Sequence, residues 1–166
     1  MNQISKQPRS LALWLSSRGF GYCLMEGSNT LVDYGNTVIN EDKNKRVLAH
    51  IEKMIVRNQP DVLVLSDVNA KGTHRTVRIK KLHATIVTLA KGRRIKVVKI
   101  SGKQVRQFLL GDETGTKQGI AEHLAKQFPD ELTSRLPPKR KSWKSEDARM
   151  DIFEAVGLAL THRGLR

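Results

Sequence analysis

The order of the apolar segments is the feature that most constrains the fold of this chain. Three strand-like segments come first, helical and strand-like segments then alternate, and three helical segments close the chain. The predicted strands are 11–16, 20–26, 30–39, 61–66 and 95–100, and the predicted helices are 40–58, 73–90, 101–110, 117–128 and 145–161. Three consecutive antiparallel strands form a meander, and the later β-α-β units add parallel strands. We therefore predict an α/β domain with a mixed five-stranded sheet flanked by helices.

The length and composition fit one cytoplasmic domain over 1–166. This length is sufficient for a single hydrophobic core. No apolar run approaches the ~20 residues that a membrane-spanning helix needs, and the first residues lack the apolar segment of a secretory signal. Cys23 is the only cysteine, so an internal disulfide is excluded. We expect a flexible N-terminus at 1–9 and a basic mobile loop at 129–144.

Charge is the strongest compositional signal. Lys and Arg number 30 against 16 Asp and Glu, which gives a formal net charge of +14. A surface this basic attracts polyanions, and nucleic acid is the first of these because neutralised phosphates release counterions. No basic amphipathic helix with bulky aromatic residues indicates binding to a membrane surface. Helix-turn-helix and zinc-finger spacings are also absent from the sequence, so we expect recognition by backbone and shape.

Three basic stretches are candidates for contact with nucleic acid. They follow the fourth strand, surround the fifth strand, and fill the loop before the last helix. We expect the first and third stretches, with an arginine of the first hairpin turn, to contact phosphates through Arg18, Lys71, Arg75, Arg78, Lys139, Arg140, Lys141 and Lys144. The second stretch is interpreted as a solvated strand edge. Trp143, in the third stretch, either stacks on an unpaired base or anchors the loop to the core.

Two acidic residues stand inside the apolar last helix. Asp151 and Glu154 are three residues apart, which puts both carboxylates on one helical face, and Asp147 extends the stripe by one turn. Burying adjacent carboxylates is costly unless a cation compensates for their charge. That cation is either a divalent metal, since Mg²⁺ prefers oxygen ligands, or a basic side chain such as Arg149 or Arg163. The spacing alone leaves both interpretations open.

Four segments of the chain carry a resemblance to a known family. They are LALWLSSRGFGYCL, PDVLVLSDV, ISGKQVRQFLLGDETGTKQGIAEHL and MDIFEAVGLALTH. In this order they are similar to the first hairpin, the fourth strand, the region beyond the fifth strand and the final helix of the RuvC-type Holliday-junction resolvases. The resemblance covers nearly the whole chain. It implies a ribonuclease-H-like fold and a homodimer that binds four-way DNA junctions.

The resemblance also implies a metal site, which this sequence fits only in part. In that family four carboxylates hold two Mg²⁺ or Mn²⁺ ions, which activate water for hydrolysis of a DNA phosphodiester. Asp151 and Glu154 fall on the two acids of the final helix. The first-strand aspartate falls on Trp14, and the fourth-strand glutamate falls on Ser66, with Asp67 beside it. Tryptophan is no ligand for Mg²⁺, so Trp14 and Ser66 mark lost catalytic positions.

Three functional hypotheses follow from this mixture of retained and lost features. The first is a RuvC-like protein that binds branched or junction DNA, with a degenerate metal site and weak or no nuclease activity. The second is an active endodeoxyribonuclease that uses Mg²⁺ or Mn²⁺ on a rearranged set of Asp67, Asp151 and Glu154. The third is a protein of the same fold that binds structured RNA. We favour the first, because loss of a ligand shared by both ions costs orders of magnitude in rate.

Overall fold

A five-stranded mixed sheet forms the centre of the molecule. The computed structural model describes residues 7–165. The strands are β1 (Arg9–Leu15), β2 (Gly19–Glu26), β3 (Thr30–Val38), β4 (Val62–Ser66) and β5 (Lys96–Ile100). Their order across the sheet is β3-β2-β1-β4-β5, with β1 antiparallel to β2 and parallel to β4. The predicted α/β class and the mixed sheet of meander plus parallel strands are confirmed.

Helices cover both faces of this sheet. They are α1 (Lys43–Asn58), α2 (Val77–Gly92), α3 (Gly102–Leu110), α4 (Lys117–Gln127), α5 (Pro129–Leu132) and α6 (Met150–Gly164). Side chains alternate along β1, so Leu11, Leu13 and Leu15 pack with α1 and α2 on one face. Ala12 and Trp14 point to the other face, where α3, α4 and α6 pack. No helix within residues 7–165 is long and apolar enough to cross a membrane.

The last helix lies against the sheet at a point where β2 has no side chain. Almost every residue of α6 from Met150 to His162 is buried. A Cβ on Gly21 of β2 would overlap the main-chain carbonyl of Asp151, so glycine is needed for this close approach. Gly21 is also the β-sheet partner of Trp14. The close packing therefore brings the first turn of α6 next to Trp14.

The predicted starts of two helices, α1 and α6, differ from the structure. Helix α1 begins at Lys43, after an N-cap at Asp42 instead of Asn40. Helix α6 begins at Met150 instead of residue 145, because the Asp147 carboxylate accepts a hydrogen bond from the backbone N–H of Arg149 and forms a turn there. Asp147 therefore does not extend the acidic stripe of the helix.

The predicted loop at 129–144 is only partly a loop. It starts with α5 and a 3₁₀ turn at Thr133–Arg135. Leu132 is fully buried and Leu136 packs against the core, which pins this first part to the domain. The remaining residues, from 138 to 145, are exposed and lack helix and strand. Residues 1–6 of the predicted flexible N-terminus lie outside the described residues, and its last member, Arg9, already belongs to β1.

Candidate functional site

The carboxyl ends of three parallel strands meet at one edge of the sheet. β1, β4 and β5 run in the same direction, so Leu15, Ser66 and Ile100 end at this edge. The turn after β1 and the start of α6 lie here as well, since Ser16 and Asp151 are in contact. Crevices at the carboxyl ends of parallel strands are the usual binding places in open α/β sheets.

Asp151 is a buried carboxylate whose charge is balanced by an arginine. It is 1% exposed. Its Oδ2 accepts a hydrogen bond from the Ser16 hydroxyl at 2.7 Å, and its Oδ1 accepts one from Arg18 Nη2 at 2.7 Å. Burial raises the pKa of Asp151 above its ordinary value, against the opposing effect of these two hydrogen bonds and the arginine charge. The compensating cation is therefore Arg18, and neither Arg149 nor Arg163 takes this role; Arg149 instead pairs with Asp147.

Trp14 holds two cations beside the sheet edge. The guanidinium of Arg75 lies over the indole ring, 4.9 Å from its centroid, and the ammonium of Lys117 lies 5.6 Å from the same centroid. Both distances are in the range of cation–π interactions. Arg75 also donates a hydrogen bond to the carbonyl of Leu15. The strand position at which the resemblance implies an aspartate thus carries an aromatic ring bounded by positive charge.

Glu154 lies one turn beyond Asp151 on α6 and is partly exposed. Burial of its carboxyl group raises the pKa of Glu154 to about 7. The positive charges of Lys117 and Arg75 oppose this rise, and the negative charges of Glu146 and Asp151 reinforce it. Burial of Glu154 therefore disfavours its charged form.

Asp67 lies apart from the acids of α6. Its Oδ1 accepts a hydrogen bond from the backbone N–H of Asn69, so it stabilises the loop after β4. Ser66, which falls on the fourth-strand glutamate that the resemblance implies, is buried at the end of β4. Among residues 7–165, no three His, Cys, Asp or Glu side chains come together in a way that would hold a metal ion. The predicted trio of Asp67, Asp151 and Glu154 is not assembled.

A basic cleft of about 520 Å³ opens beside Trp14. Five of its lining residues are basic and one is acidic: Arg18, Lys43, Arg75, Arg78, Lys117 and Glu146. Three successive carbonyls of the turn after β1 accept hydrogen bonds from three of these bases. Leu15 accepts from Arg75, Ser16 from Arg78 and Ser17 from Lys43. These three cations therefore contact main-chain carbonyls of the turn, which carry no net charge to neutralise them.

A second cleft, of about 590 Å³, adjoins the first. Lys117 and Glu146 line both clefts, and Lys139 and Arg140 lie on the second. The structure therefore brings five of the predicted nucleic-acid contacts onto one continuous surface: Arg18, Arg75, Arg78, Lys139 and Arg140. Lys71 lines a smaller cleft near Ser101, which meets the cleft beside Trp14 at Thr73.

The loop that follows the second cleft carries an exposed aromatic residue. Trp143 is 75% exposed, which excludes its interpretation as an anchor to the core. The Lys141 ammonium lies 5.2 Å from the centroid of the Trp143 ring, and Lys144 is exposed next to it. An exposed tryptophan among lysines retains the ability to stack on an unpaired base.

Three residues of the site were missed from the sequence. Lys43 and Lys117 were assigned only to helices, and Glu146 was assigned to the first turn of the last helix. Glu146 instead precedes α6 and pairs with both Arg18, at 3.3 Å, and Lys117, at 3.4 Å. Their long sequence separation from Trp14 and Arg18 explains the omission, because no local pattern connects them.

The comparisons with known proteins come from structure alone, since no family model and no curated protein sequence matches this chain. The fold is that of the RuvC-like Holliday-junction resolvases, as the resemblance predicted. RuvC of Thermus thermophilus superposes with a TM-score of 0.68 at 14% identity, over 93% of this chain and 92% of that chain. The same protein in complex with Holliday junction substrate gives a TM-score of 0.71 over the same shares of the two chains.

Two further solved structures share the fold. The yeast mitochondrial Holliday junction resolvase Ydc2 has a TM-score of 0.66 at 12% identity, over 98% of this chain and 80% of that chain. The fowlpox virus resolvase, solved with its substrate Holliday junction DNA, has a TM-score of 0.57 at 12% identity, over 95% and 99%. At these identities the likeness concerns the fold, and the chemistry has to be argued from the residues present.

Proposed function

We propose that this protein binds branched DNA, with the four-way junction as its principal ligand, and has weak or no metal-dependent nuclease activity. The observation that carries the proposal is the arrangement around Trp14. In a fold shared with solved resolvases, Arg75 and Lys117 lie over this ring, and Arg18 pairs with the neighbouring carboxylate of Asp151. Cations and an aromatic ring thus stand where the resemblance implies metal ligands.

The donor set does not fit the two-metal site that the resemblance implies. Both oxygens of Asp151 already accept hydrogen bonds from protein groups, one of them charged. A divalent ion there would meet the positive charge of Arg18 and would need a second carboxylate to replace Trp14. Burial raises the pKa of Glu154 to about 7 and so disfavours its charged form. Asp67, the remaining predicted ligand, accepts a hydrogen bond from the backbone N–H of Asn69 in its own loop.

The basic surface supports the binding half of the proposal. Two adjoining clefts carry predicted contacts at the carboxyl edge of the sheet, and the exposed loop beyond them adds Lys141, Trp143 and Lys144. Two of the solved structures that share the fold hold Holliday junction DNA. Contacts of this kind read backbone position and shape without selecting a base sequence. A homodimer, which would match the symmetry of a four-way junction, stays a prediction.

Competition for a labelled four-way junction tests this proposal. Unlabelled junction, a linear duplex of the same length and a structured RNA hairpin compete for the protein in EDTA, with bound fractions measured on native gels. We expect the junction to compete at least about tenfold better than the duplex, and binding to weaken steeply with salt. Equal competition by duplex would contradict a preference for junctions. Stronger competition by the hairpin would assign the surface to structured RNA.

A further inference from the structure

Three cations of the cleft beside Trp14 have no carboxylate partner. Arg75, Arg78 and Lys43 donate to the carbonyls of Leu15, Ser16 and Ser17. Arg78 also donates to the side-chain oxygen of Asn44. Within residues 7–165, none of the three forms an ion pair with Asp or Glu. Carbonyls fix the positions of these groups but leave their charges uncompensated.

Arg75 is the member of the group that most clearly lacks a counterion. Its side chain is half-buried, and burial is the main reason why its pKa is lowered, with the nearby charge of Arg78 adding to the effect. Glu154 and Asp151 act on it only through space. Arg18 and Lys117, by contrast, are both paired with Glu146. A partly desolvated guanidinium with no ion-pair partner gains from an anionic ligand.

Trp14 gives this group of cations a rigid base. The Arg75 guanidinium and the Lys117 ammonium lie 4.9 Å and 5.6 Å from the centroid of this ring, and both residues line the cleft. Positive charges that line one cleft repel one another, and an anion bound in the cleft offsets this repulsion. Guanidinium groups in particular match the oxygens of a phosphate through paired N–H donors.

We propose that this cleft binds one backbone phosphodiester of nucleic acid directly through Arg75 and Arg78, with no divalent ion, and that Trp14 serves as the floor of the site. The proposal deepens the proposed function, on which it rests for the identity of the natural ligand. The side chains supply the positive charge that a metal ion would bring to the same phosphate. A bound phosphodiester therefore stays intact, because no ion activates water beside it.

Trp14 is a reporter for this site. The chain has two tryptophans, so Trp143→Phe leaves Trp14 as the only indole fluorophore. We would titrate this variant with tetradeoxythymidylate in EDTA at low salt and follow the emission of Trp14. The expected result is a saturable change in emission that is the same in EDTA and in Mg²⁺. No saturable change, or a change that requires Mg²⁺, would overturn the proposal.

Charge variants in the same background locate the bound phosphate. Arg75→Gln and Arg78→Gln should each weaken oligonucleotide binding by about tenfold, and Arg75→Lys should retain part of the affinity. Lys96→Gln is the matched control, because Lys96 is exposed at the start of β5, on the opposite edge of the sheet. Equal losses in Lys96→Gln and the two arginine variants would overturn the proposal. If Arg75→Gln does not fold, the comparison of oligonucleotide binding by Arg78→Gln and Lys96→Gln tests the proposal by itself.

Two further arms separate the ligand from its alternatives. Inorganic phosphate should bind more weakly than the oligonucleotide; tighter binding would assign the cleft to free phosphate and overturn its assignment to nucleic acid. The oligonucleotide titration needs no junction, so its result is independent of junction preference. Junction preference that persists in Arg75→Gln and Arg78→Gln, at wild-type affinity, would leave the proposed function standing and overturn this inference alone.

Discussion

Asp151 shows how one buried carboxylate can be stabilised by protein groups alone. A hydroxyl and a guanidinium each contact one of its oxygens at 2.7 Å. The guanidinium belongs to Arg18 in the turn after β1, so the contact joins the first hairpin to the first turn of α6. At this site the ion pair with Arg18 balances the buried charge of Asp151, which a metal ion would otherwise have to balance.

Removing the arginine should expose the cost of burying Asp151. Arg18→Met leaves this carboxylate without its charged partner, and we expect the free energy of unfolding to fall by roughly 1–3 kcal/mol. Arg149→Met is the matched control, since its partner Asp147 is far more exposed and such pairs contribute about 0–1 kcal/mol. Urea unfolding of both variants measures the difference. Equal losses in the two variants would contradict a stabilising role for Arg18.

Glu154 should make stability depend on pH. Its pKa is raised from 4.5 to about 7 in the folded protein, so between these values the folded state binds more protons than the unfolded state. Stability from this group is present at low pH and is lost as pH rises from about 4.5 through about 7. Glu154→Gln does not titrate, so it should become more stable relative to wild type as pH increases. Urea unfolding at pH 5 and pH 8 tests this expectation, which a constant difference would contradict.

At the scale of elements, the packing of α6 on β2 determines where the site lies. Gly21 has no side chain at the point where the main chain of Asp151 passes. Gly21→Ala should therefore destabilise the fold by about 1–3 kcal/mol through overpacking. Gly92→Ala is the matched control, because nothing lies within 4 Å of the added Cβ and the position is helical. Thermal unfolding compares the two, and similar melting temperatures would show that α6 tolerates a shift.

Most elements were predictable because their sequence patterns are local. Two apolar runs on either side of a small-residue turn identified the first hairpin, and Ser101 with Gln104 forms the capping box that starts α3. The start of α6 was wrong because a local turn at Asp147 competes with the helix. Likewise, the short helix α5 depends on burial of Leu132, a tertiary contact that no local period reveals.

The site was less predictable than the elements. Asp151 is predicted from its place in the apolar last helix and Trp14 from the resemblance, and the structure brings both close to Arg18. The contribution of Lys117 to the site required the structure, since more than a hundred residues separate it from Trp14. Which cation balances Asp151 was equally inaccessible, because the sequence offers 30 Lys and Arg and no rule for choosing among them.

For the whole molecule, the fold concentrates part of the net charge of +14 on one surface. Basic side chains line two adjoining clefts at the carboxyl edge of the sheet, and the loop with Trp143 extends from there. Removing an isolated basic side chain outside these clefts and this loop should therefore affect DNA binding little. Affinity then depends on a localised surface as well as on total charge.

The exposed tryptophan should contribute to binding of junctions. Trp143→Ala is expected to weaken junction binding by about tenfold, since stacking on one base contributes roughly 1–3 kcal/mol. Its melting temperature should remain unchanged because the side chain is 75% exposed. Trp143→Phe keeps an aromatic face and should retain most of the affinity. Wild-type affinity in Trp143→Ala, measured on native gels, would show that the residue does not contact DNA.

One incubation tests whether this protein binds junction DNA without metal-dependent cleavage. The protein is mixed with an end-labelled four-way junction in Mg²⁺, in Mn²⁺ and in EDTA, next to Asp151→Asn, and both binding and strand cleavage are measured. We predict that the wild-type protein binds the junction in all three conditions and leaves every strand intact. Cleavage in either metal that disappears in Asp151→Asn would contradict the proposed lack of nuclease activity. It would show that the acids of α6 still hold a catalytic ion.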